Sequence, residues 1–92
     1  MTLDQAEIHA ISALSWLAGN DELFPMFLGS TGASVQDFKS DSVPREMLVA
    51  VLDFILMDDG WVTEFCDSVS ADYQTPMVAR EILGGGDMVH WT

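Results

Sequence analysis

Basic residues are nearly missing from this chain of 92: three Lys plus Arg stand against fifteen Asp plus Glu, a formal net charge of −12. Proteins that grip nucleic acid use Lys and Arg to displace counterions from phosphates. Only Lys39, Arg45 and Arg80 are present for that task, so direct nucleic-acid binding is not expected. The same negative field opposes an anionic membrane surface, and no basic amphipathic stretch offsets it. Long apolar runs are missing too. Met47 to Leu52 is cut off by Asp53, far short of the roughly 20 residues that span a bilayer. The chain has one cysteine, Cys66, which excludes an internal disulfide and a thiolate zinc cage. It follows Phe65 in an apolar pattern and reads as a small core residue rather than a reactive thiol. The opening Met1-Thr2-Leu3-Asp4-Gln5-Ala6-Glu7 is acidic where a signal peptide is basic, so a cytoplasmic location is expected.

What is present is ample apolar material: 49% of residues are hydrophobic and 20% charged, enough for a core and too apolar for a disordered segment. A chain of this length holds one domain. Thr2 with Gln5 forms a capping-box pattern and Gly19 a helix stop, which predicts a first helix from Leu3 to Ala18. Leu3, Ala6, Ala10, Ala13, Leu14 and Leu17 line its inner face, with Gln5, His9, Ser12 and Trp16 opposite. Trp16 is out of place on a polar strip, so either another segment covers it or it is exposed for a purpose.

Asn20 or Asp21 caps a short second helix that carries Leu23, Phe24, Phe27 and Leu28, with Pro25 just inside it. After Gly29-Ser30-Thr31-Gly32, a cap at Ser34 with Asp37 predicts a weak third helix offering Val35 and Phe38. The fourth, opened by Ser42-Val43-Pro44, is apolar on most sides through Met47, Leu48, Val51, Leu52, Phe54, Ile55 and Leu56. It should be central, leaving only Glu46, Ala50, Asp53 and Met57 toward solvent. Asp58-Asp59-Gly60 starts a fifth with Trp61, Val62, Phe65, Cys66 and Val69 on one face. Thr75-Pro76 opens a last helix over Met77 to Leu83, stopped by Gly84-Gly85-Gly86. Nothing alternates with a strand period. The expected fold is therefore all-α, a compact single-domain bundle of five to six helices, with a helical domain at 1–83 and a Gly-rich stop plus apolar tail at 84–92.

A shift of thirty-eight positions, as from Leu14 to Leu52, lays the first half over the second. Ala10, Ala13, Leu14, Trp16 and Leu17 fall on Leu48, Val51, Leu52, Phe54 and Ile55; Asn20-Asp21 falls on Asp58-Asp59; Leu23, Phe24, Phe27 and Leu28 fall on Trp61, Val62, Phe65 and Cys66. Any two amphipathic helices joined by a tight acidic turn can align in this way. Two pseudo-repeated three-helix halves would require the long helices to pack together with pseudo-twofold symmetry.

Catalytic and metal-binding patterns are weak. Asp53, Asp58 and Asp59 enclose Phe54-Ile55-Leu56-Met57, unlike the alternating oxygens of a calcium loop. His9 and His90 stand far apart, and the triple glycine follows a helix with no lysine after it, unlike a phosphate loop. No cofactor is expected and no enzyme. The tail Asp87-Met88-Val89-His90-Trp91-Thr92 is unusually apolar after a glycine stop. It either folds back over a patch near Trp16 or docks on a partner, which makes Trp16, Met88, His90 and Trp91 the candidate partner-binding residues.

The combination of Asn20-Asp21-Glu22, Phe27-Leu28, Thr31-Gly32, Val51-Leu52-Asp53-Phe54-Ile55-Leu56, Asp58-Asp59, Phe65, Ile82-Leu83-Gly84-Gly85 and His90-Trp91 resembles a family of short alphaproteobacterial proteins, domain-of-unknown-function family 3572. The resemblance covers nearly the whole chain and implies a small helical cytoplasmic protein. It carries over no catalytic, cofactor or binding residue. The functional expectation is an interaction module whose acidic face meets a basic protein, with self-association open. The alternatives are a small ligand-binding or enzymatic domain with a site between helices, and an acidic mimic of nucleic acid. An acidic surface also has a simpler use, in keeping a small protein solvated.

Overall fold

The computed structural model describes residues 1–34, 36 and 43–89, with side chains as far as Gly84. Five helices make up the described chain: α1 (Leu3–Ala18), α2 (Leu23–Thr31), α3 (Arg45–Leu56), α4 (Asp59–Val69) and α5 (Thr75–Val89). No strand occurs among the described residues, and the fold is an all-α single-domain bundle. The expected weak helix from Ser34 through Val35 and Phe38 lies outside the described residues apart from Ser34 itself and Gln36.

Local chemistry sets most helix ends. The Thr2 hydroxyl accepts from the Gln5 amide at 3.1 Å while the Gln5 side chain accepts from the Thr2 amide at 2.9 Å, so two unpaired donors are satisfied reciprocally. Asn20 Oδ1 accepts from the amides of Glu22 and Leu23, both at 3.0 Å, at the head of α2. Pro25 falls in the first turn of that helix, where its missing amide proton has no intrahelical partner to lose. Asp58 Oδ1 accepts from the amides of Gly60 at 2.8 Å and Trp61 at 3.3 Å to start α4.

The core is wholly apolar: no polar or charged residue is buried among those described. Ala6, Ala10, Ala13, Leu14 and Leu17 of α1 meet Leu48, Val51, Leu52, Phe54 and Ile55 of α3, with Leu23, Phe27, Val62, Phe65, Cys66, Ala79 and Leu83 completing the cluster. Both α1 and α3 pack against all four other described helices, and the α1–α5 contact is the most extensive in the molecule. The expected centrality of α3 is therefore shared with α1. Leu3, expected on the inner face, is 40% exposed at the first position of its helix, and Val69, at the last position of α4, is 42% exposed.

α5 differs from expectation at its end. It does not stop at Leu83 but continues to Val89 through all three glycines. A helical glycine costs about 1 kcal/mol relative to alanine yet keeps its amide donor, unlike proline, so a helix docked on two neighbours can pass through. At Gly84 a Cβ would meet the far end of the flexible Arg80 side chain. Arg80 lies over that position and reaches α3, where its Nε donates to Asp53 Oδ1 at 2.7 Å and its Nη2 to Oδ2 at 3.4 Å.

The two helical hairpins repeat each other at several local features. Under the thirty-eight-residue shift, the last residues of α1 and α3, Ala18 and Leu56, coincide, as do those of α2 and α4, Thr31 and Val69. The paired cap bonds of Asn20 coincide with those of Asp58. The Ser30 hydroxyl donates to the Phe27 carbonyl and the Ser68 hydroxyl to the Phe65 carbonyl. Gly32, left-handed at φ 74°, coincides with Ser70, left-handed at φ 56°. Ring contacts cross over between the units: Trp16 packs on Phe65 at 5.9 Å, and its repeat equivalent Phe54 packs on Phe27 at 5.5 Å. An exchange of this kind, residue i on j and j on i, is the signature of a twofold contact. The hairpins α1–α2 and α3–α4 thus show the reciprocal contacts of a pseudo-twofold, while the third helix expected in the first half lies outside the described residues.

Candidate functional site

The nucleophilic and basic side chains are poorly placed for chemistry. Cys66 is fully buried, and its thiol donates to the carbonyl of Asp72 at 3.4 Å. Burial pushes the thiol's pKa up, with the negative charges of Asp67 and Asp72 adding to the effect. A protonated, sealed thiol is a packing group. His9, read as part of a solvent strip, is half-buried against Phe65, ring centroids 5.1 Å apart. Its Nε2 is buried with no hydrogen-bond partner, and burial lowers the imidazole pKa from its ordinary 6.5. No three of His, Cys, Asp and Glu among the described residues come together to hold a metal ion.

Asp67, Ala71, Asp72 and Tyr73 line a shallow open depression of about 150 Å³ where α4 turns toward α5. The Tyr73 hydroxyl donates to Asp67 Oδ1 at 2.9 Å. That bond, together with the carboxylate's charge, raises the phenol's pKa and keeps it protonated. The depression is smaller than a cofactor or substrate cleft of ordinary size, roughly 300–1,000 Å³.

Of the four candidate partner-binding residues, Trp16 is half-buried and belongs to the core periphery. Of the polar strip expected on α1, Gln5 stays exposed while His9 and Trp16 are half-buried, the Phe65 ring of α4 packing against both. Trp16 therefore has a covering partner from within the bundle. Met88 falls on α5, and His90 and Trp91 lie outside the described residues. The solvent stripe of α1 is instead Asp4, Ile8, Ile11 and Ser15. Ile8, 64% exposed, and Ile11, 49% exposed, were assigned to neither face by sequence reasoning. A helical wheel that kept the rows beside the alanine stripe would have shown two isoleucines opposite the core.

No helix of the described chain is long and apolar enough to cross a membrane. No curated protein and no solved structure matches the chain. A family described as protein of unknown function (DUF3572) matches residues 3–86, a span that takes in all of α1 to α4 and most of α5. The chain belongs to that family.

Proposed function

We propose that this protein is a non-catalytic helical module of the cytoplasm that works by binding another protein through its acidic surface, binding neither nucleic acid nor membrane itself. The distribution of charge carries the reading. Every acidic side chain described is exposed except half-buried Glu7. Of the two cations whose side chains are described, Arg80 is tied to Asp53. A surface so one-sided raises a negative potential that draws in basic partners at long range and is weakened by salt. The sealed Cys66, the ring-packed His9 and the filled apolar core support binding over catalysis.

The test is recovery of partners from the native host with the tagged full chain at low and high salt. One basic protein retained at low salt and released at high salt is the expected result. Retention that is indifferent to salt, or no retained protein, overturns the proposal. Adding nucleic acid distinguishes the mimic, since a mimic's partner would be displaced, and light scattering on the chain alone reads self-association.

A further inference from the structure

The face of α1 turned away from the core carries two isoleucines, Ile8 and Ile11, in one stripe with exposed Asp4 and Ser15. Single exposed apolar side chains are ordinary on protein surfaces. The internal repeat gives Ile8 more weight. In the second hairpin the place of Ile8 is held by Glu46, which is also exposed. The fold accepts a carboxylate in that place and has no packing use for an isoleucine. Met26 of α2, 53% exposed, stands opposite exposed Glu64 of α4 in the same way. At these two places the first hairpin is apolar where the second is acidic, whereas the place of Ile11 is held by half-buried Val49.

The charges beside the isoleucines say what would cover them. Asp4 lies one turn before Ile8 and Glu7 directly before it, and α1 contains no Lys or Arg. A second copy of this chain would set like charges against each other, on top of a net charge of −12 on each molecule. We infer that the outer face of α1, centred on Ile8 and Ile11, is a docking surface for a basic amphipathic helix of another protein. The partner's apolar side chains pack on the isoleucines while its Lys or Arg pair with Asp4 and Glu7. This inference rests on the acidic-module reading and assigns that module's surface and partner chemistry.

The experiment titrates the full chain with a synthetic helical peptide bearing Leu on one face and Lys on the other, and with a matched peptide bearing Glu in place of Lys. Backbone NMR shifts and affinity are read together. The expected result is binding of the Lys peptide alone, with shifts concentrated on α1. Ile8→Glu installs the residue its repeat equivalent carries and should fold as the parent does. It adds a negative charge, so purely electrostatic attraction would tighten peptide binding. Docking on the isoleucines instead predicts about a tenfold loss of affinity, with Ile11→Gln as a second variant that leaves charge unchanged. Shifts elsewhere with unchanged affinity in both variants overturn the surface while leaving the acidic-module reading intact. Failure of the Lys peptide to bind, or a self-association that Ile8→Glu abolishes, overturns the partner assignment. Partner recovery from the host judges the parent reading separately.

Discussion

The hairpins α1–α2 and α3–α4 have the same C-terminal helix ends, the same cap bonds at Asn20 and Asp58 and reciprocal aromatic contacts, yet their central helices are lined differently. α1 turns Ala6, Ala10 and Ala13 inward, whereas α3 offers Leu48 and Val51 in the places of Ala10 and Ala13. The pseudo-twofold accounts for the likeness, and α5, which has no counterpart among the four hairpin helices, breaks it. α5 packs most extensively on α1 and carries buried Ala79 and Leu83 into the core. Small side chains let two helix backbones come close, and α1, the helix with the three buried alanines, is the one on which α5 packs most extensively. On the outside the contrast runs the other way, with Ile8 and Met26 against Glu46 and Glu64.

The comparison can be broken most forcefully at paired core positions. Ile55→Asp should abolish the folded state, because an unpaired buried charge costs several kcal/mol against a total stability of about 5–15 kcal/mol. Its repeat equivalent Leu17→Asp should do the same, since both side chains are fully buried. Circular dichroism and a lost thermal transition would show it. Truncation of the crossed aromatics is the next largest effect: Phe27→Ala and Phe65→Ala should each cost about 3–5 kcal/mol in denaturant unfolding. Losses differing by more than about 2 kcal/mol would argue against an evenly shared interface.

The inner contrast is sharpened by exchanging residues between the repeats. Ala10→Leu, which copies Leu48 into α1, should overpack the fully buried Ala10 position and destabilise by about 1–3 kcal/mol. An unchanged thermal midpoint would show that α5 does not depend on the alanines. At the hairpin ends Ser70 occupies a left-handed conformation that Gly32 occupies without a Cβ. Ser70→Gly should stabilise by about 0.5–1 kcal/mol, read as a raised thermal midpoint.

The smallest effect is a slope with pH. The folded chain holds the His9 ring neutral more strongly than the unfolded chain does, since burial lowers its pKa below 6.5. As pH falls through 6.5 the unfolded state takes up the proton first, so stability drops on the acid side until the folded ring protonates as well. Nothing is lost from this group above that range. His9→Phe keeps a ring against Phe65 and removes the orphaned nitrogen, so its stability should fall less between pH 7 and 5 than the parent's. Parallel curves for the two proteins would remove His9 from the acid response.

Caps and stops were the most legible features. Thr2, Asn20, Asp58 and Gly19 act where their short-range chemistry predicts, because a cap is decided by a few neighbouring atoms. The stop at Gly84 failed for the opposite reason: glycine only weakens a helix, and packing against α1 and α3 decides whether the weakness matters. The polar strip of α1 was misread because a wheel assumes one buried face, while His9 and Trp16 are covered from a second side by Phe65. Of the candidate site, Trp16 was legible as anomalous but not as a core residue. The surface at Ile8 and Ile11 became visible only from the exposure that the bundle leaves them.

The amino-acid sequence by itself determined the helical class, the helix starts, the apolar inventory of the core and the one-sided charge, since each follows from composition or from contacts a few residues long. It also contained the thirty-eight-residue echo, in a form that two unrelated amphipathic hairpins would share. Only the tertiary structure decided that the echo is a pseudo-twofold, because the crossed contacts of Trp16 with Phe65 and of Phe54 with Phe27 join residues that no local rule connects. It likewise decided which side of α1 meets solvent, because exposure depends on which neighbouring helices cover each face.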